Sequence, residues 1–332
     1  MRIASLDAAT LEACLSAAVA APSFFNTQPW RYRLDPDTVT LEVRAAPERS
    51  LRHADPVGRA VHVSVGASVF NLRVAALHFG WAPLVRLLPS PEDPGLLARV
   101  RMTAPVHRNA VKFRADLYPA IWRRHSSRMP FSGRPVPPQV RAELAEAAPG
   151  EGALVAFPEP AETARLLRVV AEAEHRNRAD TDRGMESRRW LHPDEGGVAD
   201  IGLPRTVLGP QDAREQIPMR DFTAQRHPEL LPAQDFETTP VIALLTTAHD
   251  RRTDWLRAGQ ALEHVLLVAT AHGLRASLLH QPMEWPDLRR ELNPVPDHTG
   301  HVQMLIRLGY GPEGPTTPRR APYEVTDPGT VR

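Results

Sequence analysis

The chain has one cysteine, Cys14, and one lysine, Lys112, among its 332 residues. A single cysteine excludes an intrachain disulfide and is typical of a protein from a reducing compartment. Basic and acidic residues number 40 and 39, so there is no excess positive charge with which to bind nucleic acid or an anionic membrane. No stretch reaches the roughly 18 apolar residues that are needed to span a bilayer. The composition therefore predicts a soluble, cytoplasmic protein with neither a nucleic acid nor a membrane as its partner.

Apolar residues recur three and four positions apart near the N-terminus, at Leu11, Leu15, Ala18 and Val19. This spacing predicts an amphipathic helix. A polar loop follows over residues 21–30, with the sequence Ala-Pro-Ser-Phe-Phe-Asn-Thr-Gln-Pro-Trp. Two prolines restrict its backbone, and its Ser, Asn and Gln side chains can direct hydrogen bonds at a planar ligand. An ordinary helix-to-strand turn with a structural tryptophan is the alternative interpretation.

Two further segments are rich in arginine. Arg124, Ser126 and Arg128 lie within five residues, and two guanidiniums with a hydroxyl suit a phosphate group. Arg319 and Arg320 form a second basic pair near the C-terminus. A solvated helix end is the alternative interpretation of the first segment when it is taken alone.

The loop and the arginine segments resemble, in type and relative position, the FMN-binding motifs of nitroreductase-like flavoproteins. The resemblance implies an α+β fold and an FMN cofactor. It implies that the phosphate is bound by Arg124, Ser126, Arg128 and Arg320, with Arg319 as their neighbour. It implies that the flavin ring is approached by Pro22, Ser23 and Asn26, with Gln28 supporting the loop. It also implies a strand-end loop beside the flavin that contains Gln281, Met283 and Glu284, where the backbone N–H of Glu284 faces flavin N5.

Two segments of the chain share one layout at an offset of 193 residues. In the first, Asp55 is predicted to cap a helix that stops at Gly80, and in the second Asp254 is predicted to cap a helix that stops at Gly273. An apolar run that predicts a strand follows each helix. Matched spacing of this kind indicates a diverged duplication.

Each half of the chain lacks a motif segment that the other half contains. Only the first half contains the Asn-Thr-Gln-Pro-Trp loop, and only the second contains the Arg-His-Ser-Ser-Arg segment. Dimeric nitroreductases build each flavin site from both subunits, so a fused pair with these losses retains one composite site. This arrangement resembles the Acg-type fused branch of the superfamily, which is found in actinobacteria. It implies two repeats, residues 1–120 and 121–332, that form an intramolecular pseudo-dimer in a monomeric chain.

Residues 182–235 are rich in glycine, proline and charge, and have scattered apolar residues such as Trp190 and Phe222. A connection of this length inside a compact domain is usually functional or disordered. In the related fused proteins a segment here folds over the flavin as a lid. The resemblance therefore implies a lid, and plain disorder is the alternative.

Two other patterns do not predict sites. Residues 309–314 match G-x-G-x-x-G, but Pro312 and the prolines that follow forbid the helix that a dinucleotide site requires. We therefore expect a turn there. His298 and His301 have no cysteine nearby, so no metal site is predicted.

By resemblance, the chain transfers hydride from NAD(P)H through FMN to a quinone, a nitro compound or another small metabolite. FMN carries the chemistry, so no catalytic side chain is predicted. Phe24 and Trp285 are expected to add bulk around the ring, which leaves two alternatives open. The first is a non-catalytic protein that sequesters FMN beneath a closed lid. The second is a dehydrogenase that modifies a peptide or another metabolite.

Overall fold

The computed structural model describes residues 6–103, 117–192, 200–223, 232–293 and 300–327. Within these ranges the protein is a mixed α/β structure. Its α-helices are α1 (Ala8–Val19), α2 (Arg59–His78), α3 (Leu117–Arg123), α4 (Pro138–Glu146), α5 (Pro160–Ala179), α6 (Thr181–Arg189), α7 (Arg252–Ala271) and α8 (Pro286–Glu291). Its strands are β1 (Trp30–Asp35), β2 (Thr40–Ala45), β3 (Ala82–Leu87), β4 (Leu96–Thr103), β5 (Ala153–Ala156), β6 (Leu191–His192), β7 (Leu203–Pro204), β8 (Gln211–Asp212), β9 (Ala233–Gln234), β10 (Val241–Thr247), β11 (Arg275–Leu279) and β12 (His301–Gly309).

Two antiparallel sheets of four strands organise the core. The first has the order β1-β2-β4-β3, and the second has the order β11-β12-β10-β5. Strands β10 and β12 are central in the second sheet, as the continuous apolar runs at 241–245 and 304–308 predict. The amphipathic helix predicted near the N-terminus is α1, whose apolar residues are buried.

Helices α2 and α7 pack against each other in the middle of the molecule, and two glycines make the contact. A Cβ atom on Gly66 would overlap the carbonyl oxygen of Leu256, and one on Gly259 would overlap that of Val63. The two helix backbones therefore approach more closely than any residue with a side chain allows. The helices end as predicted, because Gly80 and Gly273 follow them with φ of 85° and 74°.

Among the described residues, α2 has the length and apolar composition of a membrane-spanning helix, but 78% of its most apolar 18-residue stretch is buried inside the protein. Its apolar surface packs on the first sheet and on α7. These features are those of the core helix of a globular protein.

Both predicted helix caps are wrong in position. Helix α2 starts at Arg59, because Gly58 adopts a φ of 74° and completes a turn before the helix. The Asp55 carboxylate instead accepts the N–H of Val61 at 3.1 Å. Asp254 is the third residue of α7, and its carboxylate accepts the N–H of Arg251 at 3.1 Å, which precedes the helix.

Thr40, Glu42 and Arg44 alternate with apolar residues along β2, a pattern that predicts one polar face open to solvent. Glu42 is only 5% exposed. Its carboxylate forms ion pairs with Arg33 at 3.0 Å and Arg99 at 2.9 Å, and Arg44 lies 3.6 Å away. Arg44, expected on an exposed face, also pairs with Asp93 at 2.6 Å. Neighbouring arginines therefore cover the face that was expected to be open to solvent.

Candidate functional site

A cavity lies at the junction of α2, the loop after α1, the segment after α3 and the end of β11. No aspartate or glutamate is among the described residues that line it. The arginines in its lining are Arg59, Arg124, Arg128, Arg220 and Arg319. Most of the remaining wall is apolar or aromatic. A positively charged and largely apolar lining suits a planar ligand that carries an anionic group.

The loop after α1 forms one wall and has a strained backbone. Phe25, Asn26 and Gln28 have φ of 51°, 54° and 49°, a region that residues other than glycine seldom adopt. The Ser23 hydroxyl stabilises the loop by accepting the N–H of Gln28 at 2.9 Å. Strain of this kind is retained where the surrounding structure holds it, and such positions cluster at functional sites.

The Asn26 amide joins three segments at the edge of the cavity. Its nitrogen donates to the carbonyls of Gly202 at 2.9 Å and Pro318 at 3.0 Å. Its oxygen accepts from Arg319 at 2.9 Å. Both amide hydrogens therefore bind protein, and Asn26 holds the loop against residues that lie far away in the sequence.

Gln28 is fully buried and lies behind the loop, outside the cavity lining. Its amide nitrogen donates to the Asp200 carbonyl at 2.6 Å, and its oxygen accepts the N–H of Arg320 at 2.9 Å. Gln28 thus connects the same segments as Asn26.

Arg124 and Arg319 form a first arginine group. Both donate to the Ala20 carbonyl, at 3.1 and 3.4 Å, and Ser126 lines the same cavity. The Nε atoms of both arginines are buried and have no hydrogen-bond partner among the described residues. Unsatisfied buried guanidinium donors are costly. Both side chains line the cavity, where an anion would offset their charge.

Glu263 lies beneath this group, with its carboxylate 3.4 Å from Arg124 Nε. Burial raises the pKa of Glu263 to about 7. Burial, followed by the charge of Arg124, lowers the pKa of Arg319 to about 9. The first group therefore contains two cations and a carboxyl group that is only partly ionised at neutral pH.

Arg128 has different neighbours, although the sequence places it in the same motif as Arg124. It donates to the Val207 carbonyl at 2.9 Å, and its guanidinium lies 4.6 Å from the centre of the Phe222 ring. Burial and the nearby charge of Arg220 lower its pKa to about 10. Arg128 is therefore a cation at neutral pH that belongs with Arg220.

Arg220 reaches the cavity from the segment between α6 and β10. It forms a buried ion pair with Glu284, donates to Nε2 of His280 at 3.3 Å, and lies 4.7 Å from the centre of the Phe25 ring. Burial, followed by the charges of Arg220, Arg128 and Arg59, holds the pKa of His280 well below its usual value. His280 is therefore neutral and unsuited to donating a proton at neutral pH.

The structure brings together one part of the predicted set of site residues. Those that line the cavity are Pro22, Ser23, Asn26, Arg124, Ser126, Arg128 and Arg319. Those that do not are Gln28, Gln281, Met283, Glu284 and Arg320. Their roles in binding a ligand stay predictions, because contacts alone do not test them.

The two C-terminal arginines lie differently with respect to the cavity. Arg319 lines it, while the Arg320 side chain donates to the Glu324 carbonyl outside it. Neighbouring side chains in an extended segment point in opposite directions, so only one of the two can face the cavity. Trp285, expected beside the ring, also lies outside the lining, where its Nε1 donates to Asn177 at 3.0 Å.

Arg59, Arg220 and His280 are lining residues that the sequence analysis did not select. Arg59 and Arg220 carry no motif, since one starts a core helix and the other lies in an irregular segment. His280 directly precedes the predicted strand-end loop, so its position in the chain was a usable signal. Phe222, expected over the cavity, does line it, and Trp190 does not.

The described residues contain no group of three or more His, Cys, Asp or Glu side chains that could hold a metal ion. His298 lies outside the described residues. Strand β12 ends at Gly309, and no helix opens over residues 310–314, as the prolines predict. A dinucleotide-binding turn of the helix-opening type is therefore absent there.

Comparison with known proteins gives consistent results. A family model described as "Nitroreductase family" matches residues 121–310. The chain is 34% identical over 331 residues to the Mycobacterium tuberculosis protein named "Putative NAD(P)H nitroreductase Rv3131", covering 97% of this chain and 92% of that one. It is 28% identical over 332 residues to "Putative NAD(P)H nitroreductase acg" of the same organism, covering 95% and 94%. The solved FMN-dependent nitroreductase NfnB of Mycobacterium smegmatis in complex with NADPH aligns with a TM-score of 0.38 and 18% identity, covering 64% of this chain and 99% of that one.

Proposed function

The chain belongs to the nitroreductase family, and on this basis we propose that it is an FMN-dependent oxidoreductase. It would transfer hydride from NAD(P)H through FMN to a small acceptor, which is a quinone, a nitro compound or another metabolite. The observation that carries the proposal is the cavity, which combines unsatisfied guanidinium donors, a strained polar loop and no carboxylate in its described lining. When bound, FMN supplies the redox chemistry, because the flavin ring can accept a hydride and pass it on.

The first arginine group fits the phosphate of FMN. Arg124, Arg319 and Ser126 line the same wall, so two guanidiniums and a hydroxyl are available to a phosphate. Charge-assisted hydrogen bonds from guanidinium to phosphate are the strong class of such bonds. Arg320 supports this site indirectly, because its N–H binds Gln28 and so holds the loop.

The loop after α1 fits the flavin ring. Pro22 and Phe24 offer apolar surface, and Ser23 keeps its hydroxyl hydrogen available because its oxygen accepts from Gln28. Phe24 and Phe222 present apolar rings to the same cavity, and a cavity from which water is excluded strengthens the electrostatic interactions inside it.

We also propose that the chain is a fused pair of repeats, residues 1–120 and 121–332, that form an intramolecular pseudo-dimer with one composite site. The contact between α2 and α7 supports this. Gly66 meets Leu256 and Gly259 meets Val63. The predicted offset of 193 residues maps Gly66 onto Gly259 and Val63 onto Leu256, so it converts one contact into the other. The family model also begins to match at residue 121.

Anaerobic addition of NADH or NADPH to the purified flavoprotein tests the function. The proposal expects bleaching of the oxidised flavin absorbance by at least one of the two, and reoxidation when a quinone or a nitro compound is added. If the protein binds FMN but neither nucleotide reduces it on a timescale of minutes, it is not an NAD(P)H oxidoreductase.

FMN sequestration is a second candidate, favoured by the way the segment after α5 is held. The Glu186 carboxylate accepts the N–H groups of Arg52, His53 and Ala54 at 2.5, 3.1 and 2.9 Å. Glu284 binds two arginines of the same segment. We propose that residues 182–235 act as a lid, which these contacts would keep closed.

Loosening the lid separates the two candidates. Glu186→Ala removes its contact with residues 52–54, and Glu172→Ala, which removes an exposed ion pair with Arg176, is the control. If one closed lid limits both paths, flavin release and flavin reduction both become faster in Glu186→Ala. If reduction slows while FMN is retained, the segment builds a substrate site, and sequestration is excluded.

A further inference from the structure

Glu263 is the carboxyl group of α7 that lies beneath the first arginine group. Its side chain is completely shielded from solvent, and its one recorded ion-pair partner among the described residues is Arg124, whose Nε lies 3.4 Å from Oε1. The charge of Arg319 also acts on it. A buried carboxylate is costly unless cations compensate it. The ionised form of Glu263 therefore depends on the same two arginines that line the cavity.

Asn71 faces Glu263 from α2 and is itself fully buried. An amide can donate a hydrogen bond to a carboxylate and can accept one from a carboxylic acid. In the described part of the chain, no histidine and no second carboxyl group is recorded as acting on Glu263. Its surroundings can therefore hold either protonation state, and the two arginines decide between them.

Only one of the two proposed repeats has this carboxyl group. The offset of 193 residues maps Glu263 onto Phe70, an apolar residue of α2. The packing of α2 against α7 therefore does not require a carboxyl group at this position. Glu263 lies in the half of the contact that belongs to the single composite site.

A phosphate bound to Arg124 and Arg319 would bring a second anion to the cations that stabilise ionised Glu263. When two anions share a desolvated site, the weaker acid of the two tends to keep its proton. We propose that the carboxylate of Glu263 takes up a proton from solvent when the phosphate of FMN binds, so that flavin affinity falls as the pH rises through neutrality. This inference rests on the proposed function, since it concerns the flavin phosphate of the same site.

The sign of the effect follows from the FMN-free chain. Burial raises the pKa of Glu263 to about 7, against the opposing effects of Arg124, Asn71 and Arg319. A bound phosphate would raise this pKa further, so binding takes up a proton and the Kd of FMN increases with pH. Arg319, whose pKa is about 9, stays a cation up to pH 8. The second pKa of a phosphate is about 6, so Glu263 is the group of this set that titrates between pH 6.5 and 8.0.

The Kd of FMN is measured by fluorescence titration of the flavin-free protein at pH 6.5 and at pH 8.0. Uptake of one full proton changes Kd about tenfold per pH unit, and partial uptake around neutrality is expected to raise it at least about fourfold. Riboflavin has the same ring without the phosphate, and its Kd is expected to change less than about twofold. Calorimetry in two buffers of different ionisation enthalpy should show that about half a proton or more is taken up per FMN at pH 7.5.

Glu263→Gln keeps the shape of the side chain and cannot ionise. It is expected to bind FMN at pH 8.0 about as tightly as the wild type does at pH 6.5, with no dependence on pH. Glu146→Gln, at an exposed position of α4, is the control and is expected to keep the wild-type pH dependence.

The inference is overturned if the wild-type Kd of FMN changes less than about twofold over this range, if riboflavin shows the same pH dependence, or if Glu263→Gln retains it. If Glu263→Gln does not fold, the comparison of FMN with riboflavin in the wild type decides. Failure of the wild-type chain to bind FMN at either pH would instead contradict the proposed function.

Discussion

Substituting Gly66 by alanine should destabilise the protein, although alanine is the better helix former. A Cβ at this position would overlap the Leu256 carbonyl oxygen and lie 3.0 Å from the Cα of Gly259. Helices α2 and α7 would have to separate by about 1 Å, and overpacking of a tight core contact costs about 1–3 kcal/mol. Alanine recovers about 1 kcal/mol of helix propensity. The added Cβ would lie only 2.2 Å from the Leu256 oxygen, so the upper half of the overpacking range applies. We therefore expect a net loss of about 1–2 kcal/mol in the free energy of unfolding, measured by urea denaturation.

The reciprocal contact makes this prediction sharper. Gly259→Ala should lose a similar amount, and the double variant should lose less than the sum, because the first substitution already separates the helices. Gly133→Ala is the control, since no atom lies within 4 Å of a Cβ at that position. If Gly66→Ala is as stable as the wild type, or more stable, the close crossing of α2 and α7 is refuted.

Two other predictions concern the arginines and the buried carboxyl group of the cavity. Arg319→Ala should weaken FMN binding by about tenfold or more, because charge-assisted bonds to phosphate are worth about 1.5–3 kcal/mol. Arg320→Ala should have a smaller effect, because its side chain lies outside the cavity. Equal losses of FMN affinity in a fluorescence titration would contradict the orientations assigned to these two arginines. Burial raises the pKa of Glu263 to about 7 from a usual 4.5, so the folded FMN-free chain holds this proton more tightly than the unfolded chain. Its contribution to stability is complete below about pH 4.5 and is lost as the pH rises through 7. Glu263→Gln should therefore flatten the fall of stability between pH 5 and 7.5, and an unchanged slope would show that Glu263 does not titrate there.

Periodic patterns were sufficient to predict the main elements of the fold. The 3.6-residue spacing predicted α1, and the continuous apolar runs predicted the central strands β10 and β12, because burial on both faces requires apolar side chains throughout. Gly80 and Gly273 predicted the helix ends, since both adopt a positive φ. Helix starts were harder to predict. Asp55 accepts a helical N–H as a cap does, but Gly58 delays the helix by several residues.

The candidate site could be predicted only where its residues lie in short motifs. Ser23 and Arg124 belong to such motifs and line the cavity. Arg59 and Arg220 do not, because tertiary contacts alone bring them to the cavity from α2 and from an irregular segment. The choice between Arg319 and Arg320 depends on the direction in which the C-terminal segment crosses the loop after α1. No local pattern encodes that direction.

The most direct test of the account is the flavin content of the purified chain. Flavin released by heat is identified by chromatography and measured against protein concentration. The proposed composite site, with the first arginine group and the loop after α1 on its walls, predicts FMN at about one molecule per chain. A ratio near two, the absence of flavin after reconstitution with FMN, or binding of FAD in its place would contradict the account.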